Sequence, residues 1–253
     1  MKNRSKYIKF FCFSICLFFS CGLDTFYVLS EPNAVFRPEV YDEVFNIDFT
    51  KRYFDFQTNE EDFNEEENSG FRFMGTSVYY KIYNNFNTMI SERSYLENLA
   101  YDDETSSKAP TQLIESYKYC LLNNKEPLVS YNGMNKNVLI RLTDYQVENY
   151  YQALQTGEED KAARIMIAGE YLGKAPVRVD GKSTFNFGRD GENDNVPQDG
   201  DNDVKYSSTT TEEGFWYVTM FAVAVGMDTT FTKTYSNIEY LGTVAIDANS
   251  YDN

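Results

Sequence analysis

Apolar and polar residues alternate with a period of two along several short stretches of this chain, and turn-forming residues separate those stretches. Residues 44–56, VFNIDFTKRYFDF, set Phe45, Ile47 and Phe49 against Asn46, Asp48 and Thr50, which predicts a half-buried strand followed by a second short one. In residues 70–85, GFRFMGTSVYYKIYNN, Val78, Tyr80 and Ile82 alternate with Tyr79, Lys81 and Tyr83, a strand bounded by turn residues. VLIRLTDY at 138–145 and ARIMIAGEYL at 163–172 also read as strands, whereas VENYYQALQTG at 147–157 is compatible with a helix ended by Gly157. Asp180-Gly181 lies between two short alternating runs, a hairpin signal. Residues 214–228, GFWYVTMFAVAVGMD, are apolar on both faces and predict an interior strand. NIEYLGTVAID at 237–247 predicts its closing partner after a polar turn.

Helical spacing interrupts this rhythm at 88–124. Met89, Ile90, Leu96, Leu99 and Ala100 suit one short helix; Leu113, Ile114, Tyr117, Cys120 and Leu121 suit a second, with Pro110 near its first turn. Their apolar stripes predict docking on a sheet. Pro32 and Pro38 make residues 22–38 a tether with at most an edge strand, because proline cannot donate to a ladder. Short strands without a strand–helix repeat define the predicted class: a mainly β chain, one antiparallel β-sandwich over residues 41–253 with a two-helix insertion at 88–124. Two acidic runs, 59–68 with six acids in ten residues and 189–205, predict solvated loops.

The first twenty residues follow neither pattern. MKNRSKYIKFFCFSICLFFS carries Lys2, Arg4, Lys6 and Lys9 without an acid, then an apolar run from Phe10 to Phe19, the charged and hydrophobic regions of an export signal. Such a run covers only about half of a ~30 Å hydrocarbon core, too little for a spanning helix. Ser20 supplies the small residue that a signal peptidase requires before the cut, and Cys21 follows it.

Leu17-Phe18-Phe19-Ser20-Cys21 resembles the bacterial lipoprotein signal, in which Leu and two small residues precede Cys. Leu17 stands one place early and Phe19 is bulky, a relaxation that resembles spirochaete lipoproteins. Together with CGLDTFYVLSEP, VYYKIYNN and the ending FWYVTMFAVAVGMDTTFTKTYSNIEYLG, the chain resembles treponeme-type envelope lipoproteins with an immunoglobulin- or fibronectin III-like sandwich. That resemblance implies a diacylglyceryl group on the Cys21 thiol, cleavage in front of it, and attachment to a membrane of the cell envelope through acyl chains. Gly22, where some bacteria use Asp as an inner-membrane retention cue, favours the outer membrane. The side on which the body lies stays open.

Charge narrows the partners. The chain has 23 basic and 39 acidic residues; residues 1–20 hold four of the basic and none of the acidic ones, leaving 19 against 39, a net −20. So acidic a body repels phosphate backbones and anionic headgroups, which excludes nucleic acid and leaves an extracellular protein or glycan as the expected soluble partner. Cys12 and Cys16 leave with the signal and Cys21 is consumed by lipid, so Cys120 remains, expected as a small buried core residue.

The chain has no histidine, and no nucleophile, phosphate-loop or zinc motif accompanies its carboxylates. A binding or structural module, not an enzyme, is therefore expected; a calcium-stabilised adhesion module and a lipidated carboxylate hydrolase are the alternatives. Calcium is the one cofactor suggested. Asp199-x-Asp201-x-Asp203 begins like a calcium loop, but Val204 stands where the turn glycine belongs and Thr210 where a closing Glu would be. The stretch reads as either a solvated acidic loop or a weak calcium site.

Overall fold

The computed structural model describes residues 27–40, 51–61, 63–64, 70–102, 108–143, 163–171, 175–181, 184–187, 195–210 and 214–248. The strand expected at 44–49, the helix expected at 147–157 and Cys21 lie outside them.

Two long strands form the centre. β3 (Phe71–Tyr83) and β10 (Phe215–Asp228) run antiparallel from Tyr83↔Tyr217 to Phe71↔Asp228. Both are rich in aromatic and β-branched residues, which suit a pleated surface packed on both sides. β12 (Glu239–Asp247) pairs with the first half of β10 and β11 (Lys233–Tyr235) with its end. Three two-residue strands share the far edge of β3: β4 (Cys120–Leu121), β5 (Val129–Ser130) and the parallel β9 (Val204–Lys205). A second, wholly antiparallel sheet has the order β1 (Asn33–Phe36), β2 (Phe54–Gln57), β6 (Asn137–Arg141), β7 (Arg164–Ile167), β8 (Glu170–Tyr171).

The sheets face each other across one core, so the fold is a mainly β sandwich. Phe54, Phe56, Val138, Ile140 and Ile165 of the five-stranded sheet meet Val78, Tyr80, Ile82, Val218, Met220 and Val244 of the seven-stranded one. The period of two sends the alternate residues of β3 the other way. Tyr79 and Tyr83, with Tyr217, Phe221 and Val223 of β10, form a second core on the outer face, under helix α1 (Phe86–Asp102). Asn85 caps α1 by accepting from the Thr88 N–H at 2.8 Å, and Met89 and Leu96 are buried, roughly 2–3 kcal/mol each. Gly75 and Gly242 sit at irregularities of the ladder with φ of +135° and +127°; a Cβ there would lie 2.0 Å from the Val129 carbonyl oxygen and 2.5 Å from the Pro38 ring.

The sequence reading holds for β3, β6, β10, β12, the edge position of β1 and the first inserted helix. ARIMIAGEYL is a small hairpin, β7 and β8, turned at Ala168-Gly169, both with positive φ. The second inserted helix is present but shorter than its apolar spacing suggests. It runs as one turn, Lys108–Thr111, with Pro110 inside it, and a wider turn, Gln112–Ser116; Lys118 then takes φ +56° and Cys120 and Leu121 continue as β4. Asp180 and Gly181 both have positive φ, as a hairpin turn requires, yet no ladder flanks them among the described residues. Phe185 and Phe187 instead bury themselves in the core between the sheets.

Candidate functional site

The acidic stretch 189–205, expected in solvent, is held inward at its end. Asp203 is buried because Arg178, from the run Val177-Arg178-Val179, enters the core beneath it. The guanidinium Nε donates to Asp203 Oδ2 at 2.8 Å and Nη2 to Oδ1 at 2.7 Å; Nη2 also reaches Asp201 Oδ2 at 2.9 Å, and Nη1 donates to the Asn195 carbonyl at 2.9 Å. Burial works against the positive charge of Arg178, but the Asp203 carboxylate outweighs it and the guanidinium pKa is raised. Tyr80 of β3 donates to Asp203 Oδ2 at 2.7 Å and accepts from the Val179 N–H at 2.9 Å. Desolvation first, and the neighbouring Asp203 second, push that phenol far above its ordinary pKa.

Of the three aspartates singled out for calcium, Asp199 is exposed, while Asp201 and Asp203 are turned to Arg178. A cation needs their oxygens facing one point; here a guanidinium occupies that point. Among the described residues no group of three or more Cys, Asp or Glu side chains is placed to hold a metal ion. Val204, where a calcium loop has glycine, begins β9 and packs against the core.

In the other acidic run, of which 62 and 65–68 lie outside the described residues, Glu60 departs from the expected solvated loop. Glu60 is wholly buried, with Lys136 Nζ at 2.8 and 3.0 Å from its carboxylate oxygens and the Asn132 N–H donating to it at 2.8 Å. Asn135 Oδ1 accepts from the Glu60 N–H at 2.6 Å, so this carboxylate ties the end of β2 to the loop after β5. Glu61 beside it is exposed.

On the outer face of β3, Lys81 is buried against Tyr119 and donates to the Tyr117 carbonyl. Desolvation holds its ammonium pKa down, and Glu92 opposes that shift. The Tyr83 hydroxyl lies 2.9 Å from both Glu92 Oε2 and the Tyr119 hydroxyl. Cys120, expected to be fully buried on a helix, is half-buried on β4. Burial and then Asp203 push its thiol up to about 11, so the sulfur is a poor nucleophile at neutral pH.

These clusters are closed: each charge is met by a neighbour of the same fold. A small cleft between Pro38, Glu39, Lys51 and Thr243 has room for little more than one water. No described helix is long and apolar enough to cross a membrane. The sequence signal for Arg178 was its place between two valines, Val177-Arg178-Val179, upstream of an acid cluster; Lys136, flanked by Asn135 and Asn137, gave none. Comparison with known proteins found no matching family model, no matching curated protein and no matching solved structure.

Proposed function

We propose that this chain is a lipid-anchored cell-envelope protein: an export signal over residues 1–20, acyl chains on Cys21, and a sandwich that serves as a non-enzymatic binding or structural module. The sequence around Cys21 carries the reading, with four cations, a short apolar run and Ser20 immediately before the thiol. Two or more acyl chains hold a protein firmly where one holds it marginally, and a body of net −20 gains nothing from anionic headgroups. Gly22 favours the outer membrane. Exposed tyrosines, Tyr95, Tyr101 and Tyr206, support a protein or glycan partner, because tyrosine offers large amphipathic contact area. The engagement of Asp201 and Asp203 by Arg178 supports a module independent of calcium.

Metabolic labelling with a clickable fatty acid tests the anchor. Wild type incorporates label and partitions into detergent, and Cys21→Ser does neither. Label persisting in the variant would show the assignment to be wrong.

A further inference from the structure

The N-terminal segment is fastened to the sandwich close behind Cys21. Tyr27 stacks on Phe71 with ring centroids 4.4 Å apart, and Leu29 is buried with Phe71, Phe73 and Ala224. Tyr27 is the sixth residue after Cys21, and six residues span at most about 20 Å in any conformation. Acyl chains on Cys21 would hold the Phe71 end of the sandwich beside the bilayer.

Three loops meet at that end. β3 starts and β10 finishes there; a Cβ on Gly70 would lie 3.6 Å from both Thr229, in the turn after β10, and Tyr27 of the tether. Tyr131, opening the loop after β5, packs on Phe63 and Phe73. Each loop presents one large apolar side chain to solvent: Val28 at 68 % exposure, Met134 at 60 % and Phe231 at 82 %. Among the described residues, and apart from Val35, the other strongly exposed large hydrophobics are the tyrosines Tyr95, Tyr101 and Tyr206, on α1 and just after β9.

Phe231 is also held in a left-handed backbone, φ +64°, a conformation that normally selects glycine or asparagine. Its turn is closed on itself. The Asp228 carboxylate accepts from the Thr230 N–H, the Thr230 hydroxyl and the Thr232 N–H, each at 2.8 Å, and the Phe231 N–H donates to the Asp228 carbonyl at 3.1 Å. These bonds satisfy the N–H groups of residues 230–232 within the turn, which lowers the cost of bringing the Phe231 tip up to the headgroups.

We propose that Phe231, Met134 and Val28 make a second membrane contact, entering the boundary between headgroups and acyl chains beside the anchor, so that the Phe71 end faces the bilayer and the Tyr83 end, with Tyr206, faces away. The inference rests on lipidation of Cys21. The contact is apolar and not electrostatic: Glu31, Glu61 and Asp228 lie at this end with Arg72, and the body is strongly anionic.

The test uses the full-length lipidated protein, purified from the bacterium and reconstituted into phosphatidylcholine vesicles. In a Cys120→Ser background, Phe231→Cys, Met134→Cys and Tyr206→Cys each carry an environment-sensitive nitrobenzoxadiazole probe. The expected result is a blue-shifted emission, quenched by doxyl-labelled lipid, at 231 and 134 and an aqueous emission at 206. Hydrogen exchange of the unsubstituted protein gives the same reading without variants, with vesicles slowing exchange in 131–135 and 229–232. Vesicle-bound protein whose probes all stay aqueous would overturn the inference and leave the anchor standing; protein without lipid that fails to bind vesicles would overturn both. Burial of the probes without vesicles, at twice the monomer mass, would overturn it in favour of a second copy of the chain.

Discussion

Arg178 and Asp203 meet through two parallel hydrogen bonds, at 2.8 and 2.7 Å, with neither side chain more than 1 % exposed. Because the Ile82 N–H donates to the Asp203 carbonyl at 2.9 Å, the pair fixes the 175–181 and 195–205 segments to the Tyr83 end of β3. Removing one partner of a buried ion pair strands the other charge in a medium that solvates it poorly, at a cost of about 3–5 kcal/mol. Asp203→Asn is therefore expected to lower the free energy of urea unfolding by roughly 3 kcal/mol, while Asp199→Asn, at an exposed position, changes it by about 0.5 kcal/mol or less. Equal losses in the two variants would contradict this account of the acidic segment.

The same geometry makes a prediction about calcium. Binding to Asp201 and Asp203 would require the oxygens that face Arg178 to leave it, so an ion would gain these two ligands only by displacing a buried guanidinium. Titration to several millimolar calcium is expected to leave the melting temperature of the wild-type protein unchanged. A rise that Asp199→Ala abolishes would restore the calcium reading.

Buried phenols set the response to alkali. Desolvation raises the pKa of Tyr79, Tyr80, Tyr83, Tyr119 and Tyr240, and that of Tyr235 is pushed up to about 12. Below pH ~10 folded and unfolded chains both keep these protons, and the contribution to stability is intact. Above it the unfolded chain releases protons that the folded one retains, so stability falls as pH rises. Lys81 acts in the opposite sense, because its lowered pKa lets the unfolded chain bind more protons just below 10.5, but it is one group against several. Melting temperatures are expected to hold to about pH 9.5 and then drop, with tyrosinate absorbance appearing cooperatively as the chain unfolds. Gradual tyrosinate formation in a chain that stays folded would contradict the burial of these rings.

Where burial followed local periodicity, the sequence was a sufficient guide. β10 and β12 are apolar on both faces and lie against two cores, and Val78, Tyr80 and Ile82 point to the opposite core from Tyr79 and Tyr83, as their alternation requires. The second inserted helix stops short of Cys120 because the helical spacing of Leu113, Ile114 and Tyr117 is abandoned at Lys118, whose positive φ starts the return to β4. Glu60 and Asp203 departed from the expected solvated loops for a different reason. Six acids in ten residues describe a local repulsion, whereas Glu60 is neutralised by Lys136, distant in sequence, and Asp203 by Arg178. Pairing across such separations is a property of the assembled sheets and leaves no periodic trace.

Lipid on Cys21 would be read at once from the intact mass of the mature protein. The expected polypeptide has lost residues 1–20, begins at Cys21 and is heavier than its sequence by a diacylglyceryl group or more. A mature chain of unmodified mass, beginning at another residue and released into the culture fluid, would contradict it.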